Sequence, residues 1–465
     1  MTIRRVLSAF LLACVSAWAQ SGGLGSMRDP RVADQQGSSG GGAFQPWLAV
    51  DGVYDTYLDA PADTLGDVRR AVSVSGGLSA AKAFHRTYII LGYSGAGTDY
   101  LGRSAGIREG WKSSNVATLA VSSQVSHRVT LDFSESGGAA DGGFGAASAG
   151  LQSGGLGLLG SIGLSSGFLF GGSTGVGGSS TGLNPLDNGL VDADFYQQMA
   201  YFSSTSASAG FLLSNRTMLN IGGTASFIRR PDSPYSDSNI PGANAMLSTR
   251  FSRRFAAFLG YQFTEMDFIH SVGKMNVQGG FVGVEYSLSA RDQFSISVSD
   301  TYLDSKSISV VTLPPDVAAL LGVASTTTVN SISRTFVGGR LTYNHSFQRG
   351  GFDLSCTSMV APGNDLILVA RSEGCTAILS RSLTERFSVA AIAGLRRLDG
   401  ISQAGSRYDV ANGGLMFSYR IFRGLSLTAG GNYRASELQP SSQTINEVTA
   451  HGGLAWSPQE GVHLF

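Results

Sequence analysis

Few residue groupings in this chain could carry out chemistry, and the best local one is Asn344-His345-Ser346. A serine hydrolase needs a serine, a histidine base and an orienting Asn or acidic side chain within hydrogen-bond reach. If this segment is a β-strand, adjacent side chains point to opposite faces, so His345 is not positioned to activate Ser346. The sequence therefore predicts that the protein is not an enzyme.

Metal and nucleotide signatures are also missing from the sequence. The six histidines and three cysteines form no H-x-x-x-H or C-x-x-C spacing of the kind that holds a metal. The glycine runs, such as 155–161, lack the Lys-Ser/Thr that follows in a phosphate-binding loop. We therefore expect no metal and no cofactor. Lys plus Arg and Asp plus Glu number 33 each, so the charge balance gives no indication of nucleic-acid binding.

Two cysteines, Cys356 and Cys375, are candidates for a disulfide. They lie on either side of the turn-like sequence 361–366, and a turn centred between Asp365 and Leu366 places them opposite each other on paired strands. An exported chain permits such a bond. The alternative is two free thiols in a shifted register.

The elements that must position these residues are β-strands. Residues 219–227 alternate Leu, Ile, Gly, Ala and Phe with Asn, Gly, Thr and Ser, and residues 294–299 alternate Phe, Ile and Val with Ser. A period of two is typical of a strand with one apolar and one polar face. In a membrane barrel the apolar face meets lipid and the polar face meets a wet lumen. A water-soluble secreted β-protein, with the apolar face inside, is the alternative.

Short breaks that contain arginine recur between these strands. The spacings between Arg216, Arg254, Arg291, Arg349, Arg386 and Arg423 are 38, 37, 58, 37 and 37 residues. The exception contains a long insertion at 304–330. Each period holds two strands, one short turn and one longer connection, an internal repeat. We expect the arginines to end strands and to meet headgroups or water. The scheme predicts about 18 strands, or 16 to 20 if one hairpin is missed or merged.

The N-terminus predicts export. Arg4 and Arg5 precede an apolar stretch, and Ala-Trp-Ala at 17–19 offers a cleavage site, which together predict a signal peptide over 1–19. The alternative is a lipobox-like sequence ending at Cys14, which would then be lipidated.

The rest of the chain divides into three parts. Residues 20–44, rich in Gly, Ser and Gln, predict a flexible periplasmic leader. A transmembrane barrel is expected over 45–457, followed by a tail over 458–465. Either the closing strand is 445–457, or the last residues form it with a bulge.

This organisation resembles the Gram-negative outer-membrane β-barrels of porin-like size, over residues 44–457. The resemblance is carried by the signal peptide, by short turns alternating with longer loops, and by the terminal Phe465. It implies an antiparallel up-and-down barrel with short periplasmic turns and longer extracellular loops. It also implies contact with outer-membrane lipid, insertion by the barrel-assembly machinery, and passive transport.

Inside such a barrel, charged side chains on the polar face would set solute preference. The alternation predicts six lumen-facing residues, which are Arg250, Glu285, Arg334, Arg340, Arg420 and Arg434. Taken singly, each of them is expected to be a solvated lumen residue that pairs with its neighbours. Taken together, the excess of arginine indicates an interior that tolerates anions. The Gly-rich segment 137–194 is expected to be a long loop, either folded into the lumen as an apolar constriction or lying on the surface.

Two functions follow from these expectations. The first is a pore for small hydrophilic solutes in the bacterial outer membrane, since a barrel of 16–18 strands leaves an aqueous channel. The second is a structural or surface-polysaccharide-export barrel of the cell envelope with a closed lumen.

Overall fold

A computed structural model describes residues 43–57, 69–101, 111–140, 199–229, 237–269, 273–312, 325–362, 369–401, 406–439, 443–458 and 462–463. The predicted signal peptide, almost all of the predicted leader and most of segment 137–194 lie outside these residues. Within the described part of the chain, no helix is both long and apolar enough to cross a membrane.

The described residues form 18 long antiparallel strands and one short strand. They are β1 (Ala43–Tyr57), β2 (Arg69–Ala83), β3 (Thr87–Leu101), β4 (Trp111–Ser126), β5 (Val129–Ala140), β6 (Ala200–Leu212), β7 (Thr217–Arg229), β8 (Ser238–Arg250), β9 (Phe255–Phe268), β10 (Gly273–Ser287), β11 (Asp292–Thr312), β12 (Ser325–Phe347), β13 (Gly350–Pro362), β14 (Val369–Ser382), β15 (Phe387–Gly400), β16 (Arg407–Phe422), β17 (Leu425–Gln439), β18 (Gln443–Trp456) and β19 (Val462–His463). Each long strand pairs with the next, and β18 pairs with β1, so the sheet closes. The predicted all-β up-and-down barrel of about 18 strands is confirmed.

The connections differ between the two ends of the barrel. All eight arginine-containing breaks are short connections at one end, which we call the turn side. The connection between β16 and β17 has only two residues, Arg423 and Gly424, and Gly424 has a φ of 83°, which favours glycine. The other connections between consecutive long strands join strand ends at the opposite end, the loop side. The end of β18 and the short β19 are both at the turn side.

The strand ends differ from expectation in three places. The predicted insertion at 304–330 is largely strand, because β11 extends to Thr312 and β12 begins at Ser325. These extensions are rich in Ser, Thr, Val and Ile, and the β-branched residues among them favour extended backbone. In the predicted tail, β19 pairs with residues 43–44 at the start of β1. At the other predicted loop, β5 continues to Ala140 before the undescribed part of 137–194 begins.

Exposure alternates along parts of many strands and distinguishes the exterior from the interior. In β1, Leu48 and Val50 are 49% and 45% exposed, whereas Trp47 and Ala49 are 7% and 1% exposed. Large apolar side chains are thus presented outwards, the reverse of a soluble barrel. An exterior of this kind is stable only against lipid, where a closed sheet leaves no unpaired edge.

Some of the exterior tyrosines in this apolar surface have a partner for the hydroxyl group. Three of them donate a hydrogen bond to a side-chain amide oxygen on the neighbouring strand, which avoids an unpaired polar group beside lipid. The pairs are Tyr93 with Asn115 (2.8 Å), Tyr261 with Gln278 (2.9 Å) and Tyr433 with Asn446 (2.9 Å).

The exterior becomes charged towards the loop side. Arg397 and Arg407 contact Asp409 at 2.9 and 2.7 Å, and Lys274 contacts Glu265 at 2.5 Å. These residues lie about ten or more positions from the nearest turn. Ten residues of a strand tilted by about 40° rise roughly 25 Å, the height of the apolar band of a membrane barrel. The charges therefore mark where the wall leaves the lipid.

Glycines in the wall make room for aromatic side chains on the neighbouring strand. Phe258 lies over Gly283 and Phe281 lies over Gly260, in a reciprocal pair between β9 and β10. A Cβ at either glycine would overlap the ring. This covering of glycine by an aromatic ring is a known device for stabilising curved sheets.

Candidate functional site

The candidate site is the interior of the barrel, and the first of its predicted residues lie near the turn side. Arg250 is the last residue of β8, and Glu285 lies on β10 on the face opposite the exposed Val282. Glu285 is 8% exposed, accepts a hydrogen bond from Gln293 Nε2 and lies within electrostatic range of Arg250. The structure thus brings two of the six predicted residues together.

Three more of the predicted residues lie along β12 and β16. Arg334 pairs across the sheet with the buried Leu303, and its guanidinium lies 5.6 Å from the centre of the Phe336 ring, a cation–π contact. Arg340 pairs with Ser297, opposite the exterior parity of β11. Arg420 lies near the turn side of β16, between residues that face outwards.

The last predicted residue, Arg434, belongs to a group that sequence analysis identified only in part. Its Nη2 donates to Tyr408 Oη at 3.4 Å, and it pairs directly with Glu447 of β18. Arg396 was missed. It lies between the exterior residues Leu395 and Arg397, and its Nε donates to Ser372 Oγ at 3.4 Å. The sequence could have identified Arg396, because the alternation of side chains along β15 places it on the face opposite Leu395.

A polar row crosses the interior where the barrel closes. Thr428, Gly453, Asp51, Ser73 and Thr98 are successive partners on β17, β18, β1, β2 and β3. Thr428 Oγ1 donates to Asp51 Oδ1 at 3.2 Å, and Thr98 Oγ1 donates to Ser73 Oγ at 3.2 Å. Asp51 is only 2% exposed. The row was missed because its members come from distant parts of the chain.

Towards the loop side one arc of the wall, on β8 to β11 and β13, contains a buried apolar cluster. An apolar layer is formed by five buried residues on the interior parity, which are Ile240, Met266, Met275, Val277 and Leu303. Val360 belongs to the same buried cluster, although it shares the parity of Cys356 on β13. Met266, Met275 and Leu303 are 0% exposed, and Phe268, Phe336 and Ile401 pack against the layer. Met266 pairs with Met275, and Val277 pairs with Leu303, so the layer continues across β9, β10 and β11. This layer departs from the polar inner face that the strand alternation predicts.

The polarity of the wall is inverted here for a physical reason. The exterior neighbours of Met266 and Met275 include Glu265 and Lys274, which form the 2.5 Å ion pair described above. Beyond the lipid, the outer surface meets water and carries charges, so the apolar side chains pack inside, as in a soluble β-protein. Among the described residues, this apolar layer is the candidate for a constriction of the lumen.

His345 lies outside this interior site. It is on the exterior parity of β12, with Nδ1 at 2.5 Å from Asp292 Oδ1, and Tyr343 Oη donates to the same oxygen at 2.8 Å. Ser346 is on the opposite parity, and its N–H donates to the Arg291 carbonyl. Among the described residues, no three His, Cys, Asp or Glu side chains are grouped as a metal site requires.

The two cysteines also face outwards. Cys356 and Cys375 are direct partners in the β13–β14 pair, with Cα atoms 4.0 Å apart, and they are joined by a disulfide. Their neighbours across the sheet are Leu341 and Leu395, on the exterior parity. The bond therefore ties two strands of the wall and does not line the interior.

No protein-family model and no curated protein sequence matches the chain. Solved structures with similar folds include OccAB4 from Acinetobacter baumannii, at 10% identity and a TM-score of 0.41, covering 89% of this chain and 98% of that one. OpdK from Pseudomonas aeruginosa with vanillate has 10% identity and a TM-score of 0.40, covering 89% and 98%. The ferric-catecholate import receptor Fiu from E. coli K12 has 8% identity and a TM-score of 0.40, covering 88% and 81%. These identities and TM-scores indicate a similarity of fold only.

Proposed function

We propose that this chain is a transport barrel of the bacterial outer membrane, and that it conducts small hydrophilic solutes passively. The observation that supports this most directly is the closed 18-strand wall with an apolar exterior and charged interior residues. A barrel of this strand number encloses a channel wide enough for water and small solutes. The proposal includes no catalytic step and no cofactor.

Solute preference is assigned to the interior arginines. Arg340, Arg396 and Arg434 lie on β12, β15 and β17, along one side of the interior. Cationic groups that line a pore lower the energy of an anion and raise that of a cation. We therefore expect a moderate preference for anions.

A second candidate is a structural or polysaccharide-export barrel whose lumen is closed at rest. The specific observation in its favour is the apolar layer, because its Met and Leu side chains are on the interior parity and yet are fully shielded from water. Apolar constrictions block hydrated ions by excluding water. In either case the partners proposed are outer-membrane lipid, the barrel-assembly machinery, and small solutes or a polysaccharide.

Conductance in a planar bilayer distinguishes the two candidates. The mature chain is compared with Met275→Ser/Leu303→Ser, which makes the apolar layer polar, and with a deletion of 141–194, which leaves β5 intact. Val298→Ser is the matched control, because Val298 is 51% exposed on the exterior.

Steady conductance from the mature chain supports the open pore. Conductance that appears only in the double serine variant identifies the apolar layer as the closure, and conductance that appears only after the deletion identifies the Gly-rich segment instead. If a folded barrel conducts in none of these forms, the transport proposal is wrong and a structural role is left.

A further inference from the structure

The short turns concentrate positive charge at one rim of the barrel. Between the strand ends of the eight hairpins there are nine arginines and one acidic residue, Glu385, although the whole chain has 33 cationic and 33 acidic residues. The arginines of this rim, which we call the arginine rim, are Arg86, Arg128, Arg216, Arg253, Arg254, Arg291, Arg349, Arg386 and Arg423.

The backbone holds these turns in a repeated arrangement. In each of seven turns the carbonyl of the last arginine accepts a hydrogen bond from a strand end of the adjacent hairpin. Examples are the N–H of Gln124 to Arg86 (2.8 Å) and the N–H of Arg420 to Arg386 (2.7 Å). In the eighth turn, the N–H of Ser457 donates to Gly424 (2.7 Å). The main chain of the rim is thus fixed, and the guanidinium groups extend from it.

A ring of exposed apolar side chains accompanies the arginines. Each member lies in a turn or one to three residues before its arginine, and each is more than half exposed. They are Phe84 (51%), Val125 (56%), Leu213 (57%), Phe251 (59%), Leu288 (55%), Leu383 (53%) and Phe422 (61%). Apolar groups beside long cationic side chains match a membrane interface, where the former contact acyl chains and the latter reach the phosphates.

We infer that the arginine rim binds the headgroups of anionic phospholipids in the leaflet that meets the turn side. This inference rests on the membrane-spanning role proposed above. The rim has almost no acidic residues to balance its arginines, so a headgroup with net negative charge is favoured over a zwitterionic one. An acidic protein approaching from the aqueous side would leave the apolar ring uncovered, and this favours lipid as the partner.

Two native tryptophans allow a test at both ends of the same barrel. Trp456 is 46% exposed at the turn-side end of β18 and pairs with Leu425, next to the Arg423–Gly424 turn. Trp111 is 59% exposed at the loop-side start of β4. Proteins that retain only one of these two, with the other tryptophans replaced by Phe, are reconstituted in phosphatidylcholine vesicles. Acyl-brominated phosphatidylglycerol or acyl-brominated phosphatidylcholine is added as the quencher.

We expect phosphatidylglycerol to associate near Trp456 roughly fivefold more strongly than phosphatidylcholine. This factor corresponds to the attraction of about one arginine for an anionic membrane surface. Near Trp111 the two lipids should quench equally. The variant Arg386→Gln/Arg423→Gln should lower the preference at Trp456 at least twofold. The matched variant Arg397→Gln/Arg407→Gln, which removes two arginines from the loop-side exterior, should leave it unchanged.

Equal quenching of Trp456 by the two lipids would overturn the inference, and so would a preference that persists without Arg386 and Arg423. If the double variant does not fold, the wild-type preference at about 0.5 M salt still decides, because headgroup attraction must weaken as charges are screened. Absence of quenching by either lipid would contradict the membrane-spanning proposal itself, whereas strong but equal quenching would refute only the lipid preference.

Discussion

Removing the bond between Cys356 and Cys375 should destabilise the barrel through the unfolded chain. The two residues face each other on β13 and β14 and belong to the exterior of the wall. Replacing both by alanine leaves no cavity in the interior and changes no contact of the candidate site. The effect should therefore come from the lost covalent link.

The size of the effect follows from the length of the closed loop. The cysteines are 19 residues apart in sequence. In the chain-entropy model, a loop of about 20 residues restricts the unfolded state enough to contribute about 3 kcal/mol. With a urea dependence of about 3 kcal/mol per M, Cys356→Ala/Cys375→Ala should lower the unfolding midpoint by about 1 M.

Urea titration of the refolded barrel, followed by tryptophan fluorescence, measures this midpoint. Oxidised wild type, reduced wild type and the double alanine variant are compared, and the two forms without the bond should coincide. The reductant should have no effect on the variant. Equal midpoints for oxidised and reduced wild type would falsify the assignment of about 3 kcal/mol to the bond.

Three further predictions concern the wall and the interior. Gly260→Ala should lower the free energy of unfolding in urea by about 1–3 kcal/mol, because the added Cβ would overlap the ring of Phe281. The control Gly280→Ala should be tolerated, because its Cβ would meet its nearest atom at 3.8 Å. Equal effects of the two substitutions would contradict the packing described. In the same assay, Thr428→Val should lower the free energy of unfolding by about 1–3 kcal/mol, because the buried Asp51 loses a hydrogen-bond donor at 3.2 Å. An unchanged unfolding midpoint would show that this hydrogen bond does not contribute to stability. Arg340→Gln should shift the reversal potential in a salt gradient towards cations, and no shift would remove Arg340 from the conduction path.

Much of the fold could be predicted from local patterns in the sequence. Alternation along single strands and the recurring arginine turns predicted an up-and-down barrel of about 18 strands, with its short turns at one end. Those features depend on neighbouring residues, since side-chain direction in a strand has a period of two and a tight hairpin needs only a few suitable residues. The same alternation put Arg340 and Arg434 on one face before any pairing was known.

The tertiary structure decided which residues meet around the ring. Asp51 and Thr428 are 377 positions apart and become neighbours only when β18 closes on β1. The inverted polarity at Met266 and Met275 can be explained only when the position of these residues along the barrel axis is known. Register and closure are properties of the whole sheet, and no single strand contains them. For that reason the sequence predicted a polar interior, whereas the closed barrel has an apolar layer towards its loop side.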